Sequence, residues 1–355
     1  ELAMTGKADD VPARRAPGTG AGVLKTIAVG ASLCLALVVP AQAQLRPSTE
    51  AEQALDAAAF AETRRALEER LTDIQAAVVV IRGRVAFEFH RDGAPDTLRD
   101  QQSVEKSAMA ALVGVAIAKG QVAGLDQPVL ALLPEWASLN ADPRAASITL
   151  RQLLTMTAGF ETDEGRGPPR GMTAAQAWAR PLSSAPGTRF GYDNATVTLL
   201  GAILEKASGM PLPVYARQNL VEPLGMAEPG YRRNLHLRTV DAARLGLLFL
   251  RQGKWGDRQL LPAEYVAAAT QQQAAGGPPV GFPHGYLWWI VPPAAPGGIF
   301  MASGWAGQLV WVHPGLDLVV ALNATPSPQS QSRGHSLRLL REGLVQAVEQ
   351  RRAQP

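Results

Sequence analysis

Ser103 and Lys106 are residues whose types and spacing suggest covalent chemistry. Residues three apart on a helix lie on the same face, so a serine in the first turn of a helix over 103–119 would have the lysine beside its oxygen. A serine hydroxyl is a poor nucleophile at its ordinary pKa and needs an adjacent base. Lysine can be that base where apolar surroundings lower its pKa, whereas arginine keeps its proton. The pair therefore suggests acyl transfer through a covalent serine intermediate.

The Ser-x-x-Lys pattern is weak evidence when it stands alone. In a chain of this composition, chance supplies such a pattern with a probability of roughly one in four. Only four lysines follow residue 43, at positions 106, 119, 206 and 254, in a background rich in arginine. Retention of lysine at 106 mildly favours the functional interpretation.

Tyr192 and Asn194 form a second candidate element, in a loop that leads into a predicted helix over 194–207. Positions two apart in an extended loop point the same way, so both side chains could face a cleft. Tyr192 could then relay a proton to a leaving group while Asn194 bonds Lys106 or the substrate. The alternative makes Asn194 the N-cap of the helix and Tyr192 a half-buried packing residue.

The third candidate element is the segment 302–308, which contains two glycines and lies between two strand-like runs. The small residues Ser303 and Gly304, followed by Trp305, would let the backbone approach a substrate closely. A strand edge there can present an N–H group to a developing oxyanion, together with the N–H of Ser103. One such donor contributes about 3 kcal/mol in the transition state. The alternative is a plain β-turn.

Composition excludes several other classes of function. The chain has 355 residues, 46% hydrophobic and 18% charged, which is enough apolar material for a large core. A net charge of +3 without a basic run argues against nucleic acid as a partner. The five histidines are scattered and no His-Glu-x-x-His motif occurs, so we expect neither a metal nor a cofactor. No Gly-x-Ser-x-Gly motif of a triad hydrolase is present.

The first 43 residues are predicted to be a leader and signal peptide. Basic residues precede an apolar run over 26–39, and the small residues of Ala41-Gln42-Ala43 follow it. The run is shorter than the roughly 20 residues that span a bilayer, so we expect cleavage after Ala43 and export to the periplasm or the medium. An uncleaved anchor is the alternative. The single cysteine, Cys34, lies inside the run, so we expect no disulfide in the mature protein.

Hydrophobic patterns predict strands near both ends of the mature chain and helices between them. A single domain over 44–355 is expected, with an antiparallel sheet built from N- and C-terminal segments, flanking terminal helices and a mostly helical region between. This is an α/β (α+β) fold, and its natural cleft lies between the sheet and the helical region. The predicted segments are a helix over 49–71, a hairpin over 77–89, helices within 103–270, strands within 286–322 and a helix over 336–351.

Taken in order, the three elements resemble the motifs of the serine β-lactamase and penicillin-binding-protein superfamily, whose signature is S-x-x-K, a Tyr or Ser motif ending in Asn, and K-T-G. The resemblance covers almost all of the mature chain. Surrounding segments resemble the class C branch, which includes esterases, DD-peptidases and 6-aminohexanoate-oligomer hydrolases. These segments are LLTMTAGF at 153–160, PG at 186–187, PLGM at 223–226 and GYLWW at 285–289.

The resemblance implies a fold of the β-lactamase and transpeptidase type, with Ser103 as nucleophile, Lys106 as general base, and Tyr192 as proton shuttle aided by Asn194. Ser303, Gly304 and Trp305 would support the substrate. This sequence departs from the family pattern there, because no lysine stands at the third motif. In the family that cation helps to bind the carboxylate of penicillins and of peptide C-termini. A small neutral ester or amide is thus the expected substrate.

Alternatives remain open at the level of sequence. Arg166 or Arg170 could replace the missing cation, which would restore β-lactamase or D-Ala-D-Ala carboxypeptidase activity. The altered third motif also permits a non-catalytic binding or sensor protein on the same fold. The residues do not indicate an oligomeric state.

Overall fold

The central sheet joins strands from both ends of the chain, as the sequence predicted. The computed structural model describes residues 45–162, 171–295, 297–325 and 332–352, and the predicted leader and signal peptide, 1–43, lies outside them. The antiparallel strands of this sheet are β1 Ile74–Ile81, β2 Arg84–His90, β8 Ala274–Gly277, β9 Phe282–His284, β10 Trp289–Ile290, β11 Phe300–Gly304, β12 Gln308–His313 and β13 Leu318–Ala324. They follow the order β2-β1-β13-β12-β11-β10-β9-β8.

Strands β1 and β13 form the buried centre of this sheet. They pair antiparallel from Ile74 with Ala324 to Ile81 with Leu318, and every residue of β13 is buried. Continuous apolar runs are typical of strands that are covered on both faces. The sheet therefore requires helices on each side.

Helices supply that cover and build the region between the two sets of strands. They are α1 Glu50–Ala59, α2 Ala61–Glu69, α3 Glu105–Ala118, α4 Val129–Leu132, α5 Leu150–Leu154, α6 Ala174–Trp178, α7 Thr196–Ser208, α8 Leu212–Ala216, α9 Thr239–Leu250, α10 Ala263–Ala269, α11 Ser332–Arg338 and α12 Val345–Arg352. Helix α9 contacts β1, β12 and β13, and α11 also packs on this sheet. Gly246 lets α9 approach closely, because a Cβ there would lie 2.7 Å from Val310. Among the residues described, no helix is long and apolar enough to cross a bilayer.

Two short sheets complete the fold. The first contains β3 Arg99–Asp100, β4 Gly230–Tyr231 and β5 Leu235–Leu237, in the order β3-β5-β4. The second pairs β6 Lys254–Trp255 with β7 Arg258–Gln259. The mostly helical interior predicted over 103–270 therefore also contains short strands.

A predicted helix and a predicted strand are each interrupted by a tertiary contact. The single helix predicted over 49–71 is divided at Phe60, whose backbone leaves the helical conformation and whose buried ring packs 5.2 Å from that of Phe87. The strand predicted over 286–291 is reduced to β10, because Leu287 adopts φ +59° and donates its N–H to the Leu154 carbonyl. In both places a tertiary contact overrides the local pattern.

Candidate active site

Ser103 and Lys106 lie where a 3₁₀ turn, Gln102–Val104, passes into α3. Residues 106–116 of α3 are all buried, and Lys106 is only 5% exposed. Its Nζ lies 3.2 Å from Ser103 Oγ and 2.9 Å from Asn194 Oδ1. Burial of an amine in an apolar helix is unfavourable unless it is hydrogen-bonded, and these two oxygens meet that need. The spacing that the sequence suggested thus produces direct contact.

The turn that carries Ser103 is held by Asp100 of β3 and, through it, by Asn234, which lies between β4 and β5. Gln102 adopts φ +48°, in the left-handed region, which is costly for a residue with a Cβ. Asp100 offsets that cost, because its carboxylate accepts the Gln102 N–H at 2.8 Å and the Asn234 side-chain amide at 2.9 Å. The nucleophile candidate is therefore presented by a fixed backbone.

Tyr192 and Asn194 both face Lys106, as the two-residue spacing predicted. Lys106 Nζ lies 5.0 Å from the centre of the Tyr192 ring, in addition to its bond with Asn194. Helix α7 begins two residues after Asn194, and its N-cap is Ala195, so Asn194 is not the helix cap. Tyr192 is only 8% exposed, so it is a packing residue and also lies close to Lys106. The two interpretations of this residue are therefore compatible.

An aromatic cluster supports Tyr192 from the sheet side. Its ring stacks on Trp289 at 5.9 Å with an interplanar angle of 15°, and Trp289 meets His284 edge-on at 4.8 Å. Burial, together with the nearby positive charge of Lys106, lowers the pKa of His284 to about 3. His284 is thus neutral near pH 7. It cannot supply the cation that the third motif lacks.

The third element forms the end of β11 and the 3₁₀ turn Trp305–Gly307. A Cβ on Gly304 would lie 2.8 Å from the Gln101 carbonyl oxygen, so this strand end packs directly on the turn that precedes Ser103. Pairing between β10 and β11 covers Phe300 and Met301 and ends before Ser303, which leaves that edge of Ser303 unpaired. Trp305 is 47% exposed. The absence of a side chain at Gly304 permits contact with the turn that carries Ser103, a role that the sequence did not indicate.

A cavity of about 540 Å³ adjoins Tyr192. Its walls include the aromatic rings of Phe160 and Phe190 and the charged residues Glu161 and Arg189. This mixture provides apolar contact area together with a few polar groups, which is typical of small-molecule sites. The two arginines named as possible cations, Arg166 and Arg170, lie outside the described residues.

Sequence reasoning missed the residues that position the site. Asp100 and Asn234 are 134 residues apart and Arg180 and Asp193 are 13 apart, so neither contact follows from the spacing of a helix or a strand. The sequence did contain one indication of the second contact. Asp193 lies between two candidate site residues, and a carboxylate that is buried needs a cationic partner such as Arg180.

Comparison with known proteins identifies the family. The sequence model described as Beta-lactamase matches residues 63–343. The chain belongs to the beta-lactamase family. Esterase EstB from Burkholderia gladioli is 30% identical over 202 residues, which cover 47% of this chain and 49% of EstB. The match thus spans about half the length of this curated relative.

Solved structures of the family share the fold. A putative beta-lactamase from Bacteroides dorei has a TM-score of 0.68 and 20% identity, covering 81% of this chain and 97% of its own. A putative 6-aminohexanoate-dimer hydrolase from Bacillus anthracis has a TM-score of 0.66 and 19% identity, with 82% of each chain covered. These matches confirm the sheet with flanking helices that the sequence predicted.

Proposed function

We propose that the protein is a serine hydrolase that cleaves an ester or amide through an acyl-enzyme on Ser103. The observation that carries the proposal is the contact of one buried amine, Lys106 Nζ, with Ser103 Oγ at 3.2 Å and Asn194 Oδ1 at 2.9 Å. An amine in reach of a hydroxyl is the arrangement that activates a serine. The family and the resemblance to EstB over half its length support the same proposal.

The chemistry assigns one role to each group. With its amine deprotonated, Lys106 accepts the Ser103 proton as Oγ attacks the substrate carbonyl, and the carbonyl oxygen takes up the negative charge. Collapse of this intermediate breaks the bond to the leaving group, which takes the proton now on Lys106 by way of the Tyr192 hydroxyl and leaves the amine neutral again. Water then attacks the acyl-enzyme by the reverse route and frees the Ser103 hydroxyl. Asn194 holds the lysine amine throughout.

We propose neutral esters or amides as the substrates, in preference to penicillins or peptide C-termini. Ala302 and Ser303 stand at the third motif, and His284 nearby is uncharged at neutral pH. A substrate carboxylate would therefore meet no cation from these residues. The names of two similar proteins, an esterase and a putative 6-aminohexanoate-dimer hydrolase, support this preference.

Labelling with a fluorophosphonate tests the nucleophile directly. Peptide mass spectrometry should find the adduct on Ser103 in the wild-type protein and no adduct in Ser103→Ala. Ser107→Ala is the matched control, because Ser107 is buried one turn further along α3 and donates to the Leu287 carbonyl. That variant should be labelled like the wild type. An unlabelled wild-type protein would overturn the enzyme proposal and favour the binding or sensor role.

Assays with p-nitrophenyl butyrate and nitrocefin test the substrate class. We expect hydrolysis of the ester and little hydrolysis of the β-lactam. A higher kcat/KM for nitrocefin than for the ester would instead support the β-lactamase alternative.

We also propose that the protein is exported with cleavage after Ala43. The basic residues, apolar run and small residues within 1–43 support the proposal. N-terminal sequencing of material from the periplasm or medium should begin at Gln44. Exported protein that begins before residue 44 would overturn it.

A further inference from the structure

Asp193 is a buried carboxylate between the two candidate site residues Tyr192 and Asn194. Arg180 donates to both of its oxygens, with Nη2 2.6 Å from Oδ2 and Nη1 3.2 Å from Oδ1. The Ala195 N–H donates to Oδ1 at 2.9 Å. The arginine and aspartate side chains are 10% and 7% exposed. A two-fold charged contact of this kind fixes direction as well as distance.

Arg180 is itself fixed by other parts of the fold. Its Nε donates to the Ala177 carbonyl of α6 at 2.9 Å. Its guanidinium lies 4.7 Å from the centre of the Phe160 ring, close enough for a cation–π interaction. Phe160 and Asp193 both line the 540 Å³ cavity. The arginine thus connects α6, the cavity wall and the segment that bears Tyr192 and Asn194.

We propose that Arg180 and Asp193 are a positioning pair that holds Tyr192 and Asn194 against Lys106 and thereby sets the rate of acyl transfer. Asp193 and its two neighbours have different partners, since Arg180 binds the aspartate whereas Lys106 contacts Tyr192 and Asn194. Fixing the aspartate therefore holds both flanking residues in place against Lys106 Nζ. This inference rests on the proposed function, since it concerns the rate of that reaction.

Loss of the pair should change turnover more than substrate binding. A displacement of about 1 Å at a catalytic group can lower a rate by about 10²-fold. Tyr192 and Asn194 act on the reacting atoms in the proposed mechanism, whereas Arg180 and Asp193 act only through them. A purely structural ion pair would instead lower thermal stability and leave kcat per folded molecule unchanged.

Asp193→Asn is the first test, with kcat and KM for p-nitrophenyl butyrate measured per fluorophosphonate-titrated site. We expect kcat to fall at least ~10-fold while KM changes by less than ~3-fold. Combined with Asn194→Ala, Asp193→Asn should cost less than it does in the wild-type background, because part of its effect is transmitted through the asparagine. Additive losses would contradict action through Asn194.

Asp56→Asn is the matched control. Asp56 is a buried carboxylate paired with Arg84 and Arg351, and it joins α1, β2 and α12. The Asp56→Asn protein should have a lower melting temperature than the wild type but the same kcat per titrated site. Equal behaviour of Asp193→Asn and Asp56→Asn would overturn the positioning role.

Arg180→Lys decides the question if Asp193→Asn does not fold. Lysine keeps the positive charge but cannot donate to both oxygens of Asp193 as arginine does. The Arg180→Lys protein should therefore fold but have a lower kcat. Wild-type kcat in Arg180→Lys would overturn the proposal. A wild-type protein that fluorophosphonate does not label would show that the proposed function had failed, independently of the pair.

Discussion

The candidate site has a helical part and a strand part that are built by different interactions. In the helical part, Ser103, Lys106 and Asn194 are joined by hydrogen bonds between side chains. In the strand part, Gly304 contacts the Ser103 turn by backbone packing, and the side chain of Trp305 is half exposed. Under the proposed function, activity should therefore depend on side-chain identity in the helical part and on residue size in the strand part.

Under the proposed function, a departure from the family pattern should therefore affect the two parts unequally. A changed side chain in the helical part removes a proton-transfer group from a buried network. A missing cation in the strand part leaves the backbone packing intact, so under the proposed function it should alter which substrate is favoured. Substitutions in the helical part should therefore lower kcat, whereas those in the strand part should act through packing or substrate contact.

Lys106→Arg should have the largest effect of the four. Arginine keeps the positive charge but cannot accept the Ser103 proton, so kcat/KM for p-nitrophenyl butyrate should fall by ~10³-fold, within the range for loss of a general base. Lys206→Arg is the control, because Lys206 lies in an exposed pair with Glu135. Activity of Lys106→Arg close to the wild type would remove the lysine from its proposed role.

Gly304→Val should have the next largest effect on activity. Its Cβ would lie 2.8 Å from the Gln101 carbonyl oxygen and 2.9 Å from Gln102 Cβ, so the turn that carries Ser103 must move. We expect kcat to fall by ~10²-fold. Gly124→Val is the control, since a Cβ on Gly124 would meet no atom of the described residues within 4 Å. Equal kcat values for the two variants would show that the packing contact does not position the nucleophile.

His284 should make the protein less stable in acid. Its pKa is about 3 in the folded state and near 6.5 in an unfolded chain. The unfolded state therefore binds more protons between these values, and stability falls as the pH drops from 6.5 toward 3. Urea unfolding at pH 7 and pH 4.5 should show this loss, and His284→Phe should reduce the difference by ~2 kcal/mol. An unchanged difference would contradict the assignment.

Trp305→Ala should have the smallest effect. The ring is 47% exposed, so its removal deletes contact area for a substrate without altering the buried network. We expect KM for p-nitrophenyl butyrate to rise by ~3-fold to 10-fold with kcat nearly unchanged. A large fall in kcat with constant KM would instead place this residue in the chemical step and blur the division between the two parts.

Sequence predicted most of the helical part because its geometry is local. Spacing of three along a helix brought Ser103 and Lys106 together, and spacing of two in a loop turned Tyr192 and Asn194 the same way. The terminal strands were also predicted from a local pattern, because each contains a continuous run of apolar residues. Fold class and most helices followed from these patterns.

The remainder depends on contacts that no local pattern encodes. The bond between Asp100 and Asn234 joins residues from distant segments. Strands β8 and β9 were missed because their segment is rich in glycine and proline, which usually mark loops. Gly276 allows that hairpin to close, since a Cβ there would overlap the Phe282 carbonyl. Tertiary packing determined these features.

Pairing of β1 with β13 has a consequence for the timing of folding. Val79 lies opposite Val320, so the centre of the sheet joins strands that are far apart in the sequence. Such long-range pairing makes folding slow, because the entropy of closing a long loop must be overcome first. The ribosome must extend the chain beyond Val320 before this pair can form. The candidate site, which includes Gly304 of β11 in the same sheet, therefore cannot assemble before that length of chain has been made.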